Sequence, residues 1–169
     1  MTDDEIITEI IEREGGFVNA AADRGKATKY GITQATLADY LGRPVTVAEV
    51  EALSESVARD IYRRRYILRP GFDAIADDAL RAAVVDCAVN HGPLQATKFL
   101  QHALGVLPDG RIGPDTLAAL SNSDPHRTRT YLVAERARFY GKILGLRPEQ
   151  SVFAAGWMNR LAGFIEGLA

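Results

Sequence analysis

Two acidic residues and one hydroxyl residue lie close together near the start of the chain: Glu14, Asp23 nine residues later, and Thr28 five residues after that. Cleaving a bond between two sugars needs one carboxylic acid that protonates the leaving oxygen and a second carboxylate that stabilises positive charge or prepares a water. A threonine hydroxyl can help to hold that water. The three residues therefore suit glycosidic chemistry. In the alternative interpretation, Asp23 caps a turn and Thr28 is an ordinary strand residue.

A predicted amphipathic helix positions Glu14 at its end. Isoleucines recur at the three-and-four spacing of one apolar face: Ile6, Ile7, Ile10 and Ile11. Thr2 and Glu5 form a capping box at the start, and Gly15–Gly16 ends the helix. The negative end of the helix dipole and the apolar pair Phe17–Val18 would both disfavour an ionised carboxylate, as a proton donor requires. The alternative is an exposed glutamate that happens to precede a glycine cap.

The remaining pattern predicts a mainly α fold with one small β hairpin or loop lobe at about residues 17–32, where glycines and small residues suit turns. Hydroxyl or carboxyl caps at Thr33, Thr46, Ser54 and Asp77 start successive helices. The segment from Asp78 to His91 is apolar nearly all round, which predicts a central, mostly buried helix. Further helices are predicted at about residues 93–104, 114–121, 125–145 and 149–166.

The sequence around the acidic residues resembles the opening of the family 108 glycoside hydrolases, which are N-acetylmuramidases found among phage endolysins and related bacterial lysis or secretion proteins. The resemblance extends over nearly the whole chain. It rests on the segments Glu14–Asn19, Asp23–Gly25, Thr28–Thr33, Leu41–Thr46, Ile61–Tyr62 with Tyr66, Asp86 with Asn90–Gly92, Leu100–Gln101, Asp109–Pro114, Gly156–Trp157 and Asn159–Arg160. The chain departs from the usual family pattern at Ala20–Ala21 and Lys26, and neither departure touches the three candidate residues.

This resemblance implies a lysozyme-like fold, with a glycan cleft beside the β lobe, and a muramidase that cuts the β-1,4 bond between N-acetylmuramic acid and N-acetylglucosamine. Glu14 would be the general acid, Asp23 the carboxylate that orients water or stabilises charge, and Thr28 its hydrogen-bonding partner. The expected partner is the peptidoglycan glycan strand. The alternative is a wall-binding or structural protein that has kept the fold without turnover.

Four further residues are candidates for substrate binding: Tyr30, Asn90, His91 and Trp157. The last three also have a structural interpretation. Asn90, four residues after Asp86 on one helix face, would satisfy buried groups, and His91 would cap the helix end. Trp157 in a terminal amphipathic helix would anchor that helix to the core.

Residues 1–92 are predicted to form the muramidase region and residues 93–169 a peptidoglycan-binding-like helical region packed on it as one compact body, since no Pro- or Ser-rich linker separates them. The second region contains Asp109-Gly110 and Gly113-Pro114 turns like those of peptidoglycan-binding modules. Two roles stay open for it, gripping the glycan or completing the core.

Composition limits the other possibilities. The single Cys87 lies among apolar residues and is predicted to be a buried, inert thiol, and the three histidines lack metal-ligand spacing, so we expect no cofactor and no metal. A dense basic run would suit nucleic acid or an anionic wall, but the net charge of −2 argues against nucleic acid and favours a solvated face with ion-pair partners. The run comprises Arg59, Arg63, Arg64, Arg65 and Arg69.

No apolar stretch is long enough to span a membrane, and the acidic first residues do not resemble a signal peptide. We therefore expect a monomer made in the cytoplasm, which acts on the periplasmic or extracellular wall after release through a holin or a secretion system.

Overall fold

A computed structural model describes residues 2–18 and 27–166. The chain divides into two compact units, Met1–Arg69 and Pro70–Ala169. Helices dominate both, and the strands among the described residues form one two-stranded antiparallel sheet. The mainly α fold with a small β hairpin, which the sequence predicted, is confirmed.

The first unit is built from short helices around one hairpin. Its elements are α1 (Asp3–Glu14), β1 (Thr28–Lys29), β2 (Ile32–Thr33), α2 (Gln34–Leu41), α3 (Val47–Glu51) and α4 (Glu55–Arg63), followed by a π-helical turn, Arg64–Leu68. A hydroxyl accepts a hydrogen bond from the first turn of each α-helix, as predicted. These caps are Thr2, Thr33, Thr46 and Ser54.

Helix α1 packs against α4 through the predicted isoleucine face. All four isoleucines are at most 6% exposed. At the rim of this contact, Arg59 donates to the Thr8 hydroxyl at 2.8 Å, and Arg63 lies 2.5 Å from the Asp4 carboxylate. Burial of the apolar face therefore fixes α1, and with it the position of Glu14 at its end.

The basic run proves to be a face of ion pairs. Every one of its arginines has a carboxylate partner in the first unit. The pairs are Arg59–Glu55, Arg63–Asp4, Arg64–Asp60, Arg65–Asp39 and Arg69–Asp39. A surface whose guanidinium groups are already paired presents little unbalanced charge to phosphate, in agreement with the solvated-face interpretation.

Helices are the regular elements of the described part of the second unit, and loops join them. It contains a 3₁₀ turn (Phe72–Ala74), α5 (Asp78–His91), α6 (Pro93–Leu104), α7 (Pro114–Asn122), α8 (Pro125–Leu146), a second 3₁₀ segment (Pro148–Phe153) and α9 (Ala154–Glu166). Helix α5 packs on α6 and α8 and buries seven of its residues, from Leu80 to Ala88, as its apolar sequence predicted. The last helix starts at Ala154 and not near 149, because the chain after Pro148 winds as 3₁₀ turns first.

Within residues 2–18 and 27–166, no helix combines the length and the apolar character that crossing a bilayer requires.

Candidate active site

Glu14 is the last residue of α1, and the chain turns away from the helix at Gly15, whose φ is +75°. The carboxylate side chain is exposed. Val18, one of the two apolar residues expected to desolvate it, is itself 57% exposed, and Phe17 is half-buried. Desolvation of Glu14 by these two residues stays a prediction.

The segment after Glu14 is bonded to the hairpin. Val18 and Thr28 exchange two backbone hydrogen bonds of 2.8 and 2.9 Å, and the Tyr30 N–H donates to the Gly15 carbonyl at 3.1 Å. Thr28 in turn lies opposite Thr33 in the sheet. The structure therefore brings three predicted residues, Glu14, Thr28 and Tyr30, into one backbone assembly at the end of α1.

The hairpin turns at Tyr30 and Gly31, and both have positive φ, +52° and +70°. Such a pair is what a two-residue type I′ turn requires, although a tyrosine there is under strain. Gly31 is also needed for space. A Cβ atom at this position would lie 2.6 Å from the Tyr62 hydroxyl oxygen and 3.0 Å from Oε2 of Glu14. The turn is thus set directly against the candidate acid.

Tyr62, on α4, supports this turn from the core. Its side chain is 3% exposed, and its hydroxyl donates to the Tyr30 carbonyl at 2.9 Å. Burial raises the pKa of Tyr62 above its ordinary value, and the nearby charge of Glu14 raises it further. The ring stacks on that of Tyr66 with centroids 5.5 Å apart.

Sequence reasoning did not assign a role to Tyr62 or Gly31. A signal was present for Tyr62, since it shares the buried face of α4 with Ala58 and Ile61. A hydroxyl on such a face needs a hydrogen-bonding partner. The need for glycine at position 31 depends on Glu14 and Tyr62, which are distant in sequence, and no local pattern contains it. Asp23, the predicted second carboxylate, lies outside the described residues.

The other predicted site residues belong to the second unit. Asn90 is exposed at the end of α5, and its amide donates to the backbone carbonyl of the buried Asp86 at 2.6 Å, in line with the interpretation that it satisfies a buried group. The ring of His91 lies between Phe99, Phe139 and Tyr140, with centroid distances of 5.2 to 5.6 Å. A role of Asn90 and His91 in binding sugar stays a prediction.

Trp157 also has a structural partner. It stacks on Tyr140 with centroids 4.7 Å apart and planes 11° from parallel, and Phe153 lies 6.2 Å away. This contact fastens α9 to α8, as the anchor interpretation proposed. One face of the indole is therefore occupied by protein, and sugar contact by Trp157 stays a prediction.

Asp86 is a buried carboxylate of the second unit that pairs with two arginines. It is 5% exposed, and Arg160 approaches it through two nitrogens, Nη2 at 2.8 Å and Nε at 3.1 Å from Oδ1. The fully buried Arg136 lies 3.0 Å from the other carboxylate oxygen. Two guanidinium groups on one buried carboxylate form a structural ion cluster that joins α5, α8 and α9.

The Asp-Gly turn before α7 is also structural. Gln101 is 1% exposed, and its amide nitrogen contacts the Asp109 carboxylate at 2.7 Å and the Arg111 carbonyl at 2.9 Å. Its amide oxygen accepts from the Gly110 N–H at 2.8 Å. One buried side chain therefore shapes the loop that resembles peptidoglycan-binding modules.

Cys87 is buried, and burial raises the pKa of its thiol to about 12, as expected for an inert cysteine. Among residues 2–18 and 27–166, no three His, Cys, Asp or Glu side chains are grouped so that they could hold a metal ion.

An exposed carboxylate held against a glycine turn, beside a small hairpin on a helical body, defines a candidate site of the glycoside hydrolase class. The profile of the glycosyl hydrolase 108 family matches residues 7–92, and a profile described as a predicted peptidoglycan domain matches residues 95–162. The chain belongs to the glycosyl hydrolase 108 family and has its mainly α, lysozyme-like fold.

A solved structure supports this assignment. The structure of Brucella abortus SagA is similar to 98% of this chain and to 92% of that chain, with a TM-score of 0.82 and 35% sequence identity. No protein among those with curated functions matches the chain.

Proposed function

We propose that the protein is an N-acetylmuramidase that cuts the β-1,4 bond between N-acetylmuramic acid and N-acetylglucosamine, with Glu14 as the general acid. The family and the predicted peptidoglycan domain support a peptidoglycan hydrolase. The observation that carries the finer proposal is the placement of Glu14, which is exposed at the end of α1 and lies beside the Tyr30–Gly31 turn. A proton donor must be both accessible and fixed in direction.

The proposed reaction gives each of the three candidate residues the role that the family resemblance implies. Glu14 gives its proton to the glycosidic oxygen as the bond from that oxygen to the anomeric carbon breaks. Water then adds to the anomeric carbon and gives its proton to a carboxylate, either Asp23 or the ionised Glu14, and exchange with solvent restores the protonated Glu14. Asp23 stabilises the positive charge or orients the water, and Thr28 assists Asp23. Val18 and Ala27, the described residues on either side of the segment that contains Asp23, adjoin the hairpin strand that carries Thr28.

The test is Glu14→Gln, which keeps the size of the side chain but cannot supply a proton. General acid help is worth a factor of about 10² to 10⁴, so release of reducing ends from insoluble peptidoglycan should fall toward background while the variant still binds the sacculus. Glu12→Gln is the matched control, because Glu12 is also exposed on α1, outside the turn. Mass spectrometry of borohydride-reduced products then identifies the bond, since a muramidase leaves reduced muramic acid at the new ends.

Three results distinguish the alternatives. A wild-type protein that binds the sacculus and releases no ends would be a non-catalytic wall-binding protein. Reduced glucosamine at the new ends would contradict the bond assignment. Full activity in Glu14→Gln would place the acid elsewhere.

Asp23 and Thr28 should both contribute to turnover, but to different extents. We expect Asp23→Ala to lower turnover more than Thr28→Ala, because the aspartate contributes a charge next to the developing positive centre. Wild-type turnover in Asp23→Ala would remove this residue from the mechanism.

A further inference from the structure

We propose that Tyr62 is a positioning residue for Glu14: its hydroxyl fixes the Tyr30–Gly31 turn and so defines the surface against which the Glu14 carboxylate lies. This inference rests on the proposed function of Glu14. Tyr62 is not expected to touch the glycan, because its side chain is 3% exposed. It would act through the turn.

The first support is that the side chains of Tyr62 and Glu14 both lie close to the position that a side chain on Gly31 would occupy. A Cβ on Gly31 would be 2.6 Å from the Tyr62 hydroxyl oxygen and 3.0 Å from Oε2 of Glu14. The two oxygens can therefore be no farther apart than these two distances together. The hydroxyl, the glycine and the carboxylate form one contact group, which we name the turn seat.

The second support is the direction of the hydrogen bond. The Tyr62 hydroxyl donates its proton to the Tyr30 carbonyl at 2.9 Å, and Tyr30 has a φ of +52°, which a non-glycine residue adopts only under strain. The buried Tyr62 hydroxyl therefore holds the carbonyl of the strained residue itself, and with it the turn, in place. Loss of this bond would let the turn relax and leave the Glu14 carboxylate without a fixed neighbour.

The third support is that the tyrosine itself is fixed. Its ring stacks on Tyr66, which lies within the π-helical turn that continues α4. π-helical turns of this kind are frequent at functional sites. The hydroxyl of Tyr62 thus connects the buried face of α4 to the exposed turn beside Glu14.

The experiment compares Tyr62→Phe with Tyr40→Phe. Tyr40 is the matched control, because its hydroxyl also donates to a partner in the first unit, the Asp60 carboxylate, which is not part of the turn seat. Misplacement of a catalytic group by about 1 Å can cost about 10²-fold. We expect Tyr62→Phe to lower kcat by about 10- to 100-fold with KM within about twofold, whereas Tyr40→Phe keeps wild-type kcat. A wild-type kcat in Tyr62→Phe, or an equal loss in both variants, would overturn the inference.

A double-mutant cycle adds a test that does not depend on the control. Gly31→Ala introduces the Cβ that collides with the Tyr62 hydroxyl, and Tyr62→Phe removes that oxygen. We therefore expect Tyr62→Phe to lower kcat by a smaller factor in the Gly31→Ala background than in the wild type. Independent effects of the two changes would contradict the turn seat. If Gly31→Ala does not fold, the comparison of the two tyrosine variants decides alone.

Failure of this inference is separable from failure of the proposed function. An active Glu14→Gln variant means that Glu14 is not the acid. An inactive Glu14→Gln with a fully active Tyr62→Phe means that only the positioning role is wrong.

Discussion

Glu14 in the first unit and Asp86 in the second are both carboxylates on helices, but their surroundings are opposite. Glu14 is exposed at a helix end and touches a glycine turn. Asp86 is 5% exposed in the middle of α5 and faces two guanidinium groups. An accessible carboxylate can exchange protons with a substrate, whereas an enclosed, paired one holds helices together. In the proposed function, the chemistry belongs to the accessible carboxylate of the first unit and the enclosed carboxylate of the second has a structural role.

The largest expected effect on stability is at Asp86. Replacing it by alanine leaves Arg136 buried without its counter-charge, and removal of one partner of a buried ion pair typically costs about 3–5 kcal/mol. Glu14→Ala should change the free energy of unfolding by about 0.5 kcal/mol or less, because its site is exposed. Urea unfolding of both variants measures this difference. Similar costs at the two positions would break the comparison between the units.

An intermediate loss of stability is expected when Gln101 is replaced. Truncation to alanine leaves the Gly110 N–H and the neighbouring acceptors without their buried partner, which costs about 1–3 kcal/mol for each group left unsatisfied. His102→Ala is the matched control, since His102 is the next residue on α6 and is exposed. Thermal unfolding compares the two. If both variants melt alike, Gln101 does not organise the Asp109–Gly110 loop.

The stability of the second unit should depend on pH through His91, whose ring packs against Phe99, Phe139 and Tyr140. Burial lowers the pKa of His91 to about 4, assisted by the charge of Arg136 and opposed by that of Asp86. The unfolded chain therefore takes up this proton first, near pH 6.5, so the stability contributed by neutral His91 is present above pH 6.5 and is lost as the pH falls toward 4.

The measurement is the free energy of unfolding across this range in the wild type and in His91→Phe. We expect the decline between pH 6.5 and 4 to be shallower in the variant, because phenylalanine keeps the ring packing and cannot bind a proton. Equal slopes would show that His91 titrates alike in the folded and unfolded chains.

The smallest effect is expected for Cys87, whose thiol should be unreactive in the native protein. With a buried thiol whose pKa is raised to about 12, the native protein should not react with a thiol reagent at pH 8, and the full reaction should appear in denaturant. Rapid labelling of the native protein would mean that α5 opens locally, and the second unit would then be less rigid than its ion cluster indicates.

Local sequence was sufficient for most of the helices. The hydroxyl caps at Thr2, Thr33, Thr46 and Ser54, the isoleucine face of α1 and the apolar α5 are signals within one or two helical turns, and the corresponding helices are present. The glycines predicted the end of α1, and thus the position of Glu14, because the stop signal is adjacent to it. The first helical residue of the last helix was less predictable, since the choice between 3₁₀ and α turns after Pro148 is not local.

The sequence by itself determined the family, the helical plan and the end of α1, since each depends on residue types at short spacing. Only the tertiary structure decided which polar residues are free and which are enclosed. It enclosed Asp86 between Arg136 and Arg160, stacked Trp157 on Tyr140, and set Gly31 between Glu14 and Tyr62. These contacts join residues that are distant along the chain, and the burial that decides their role arises only when separate helices pack together.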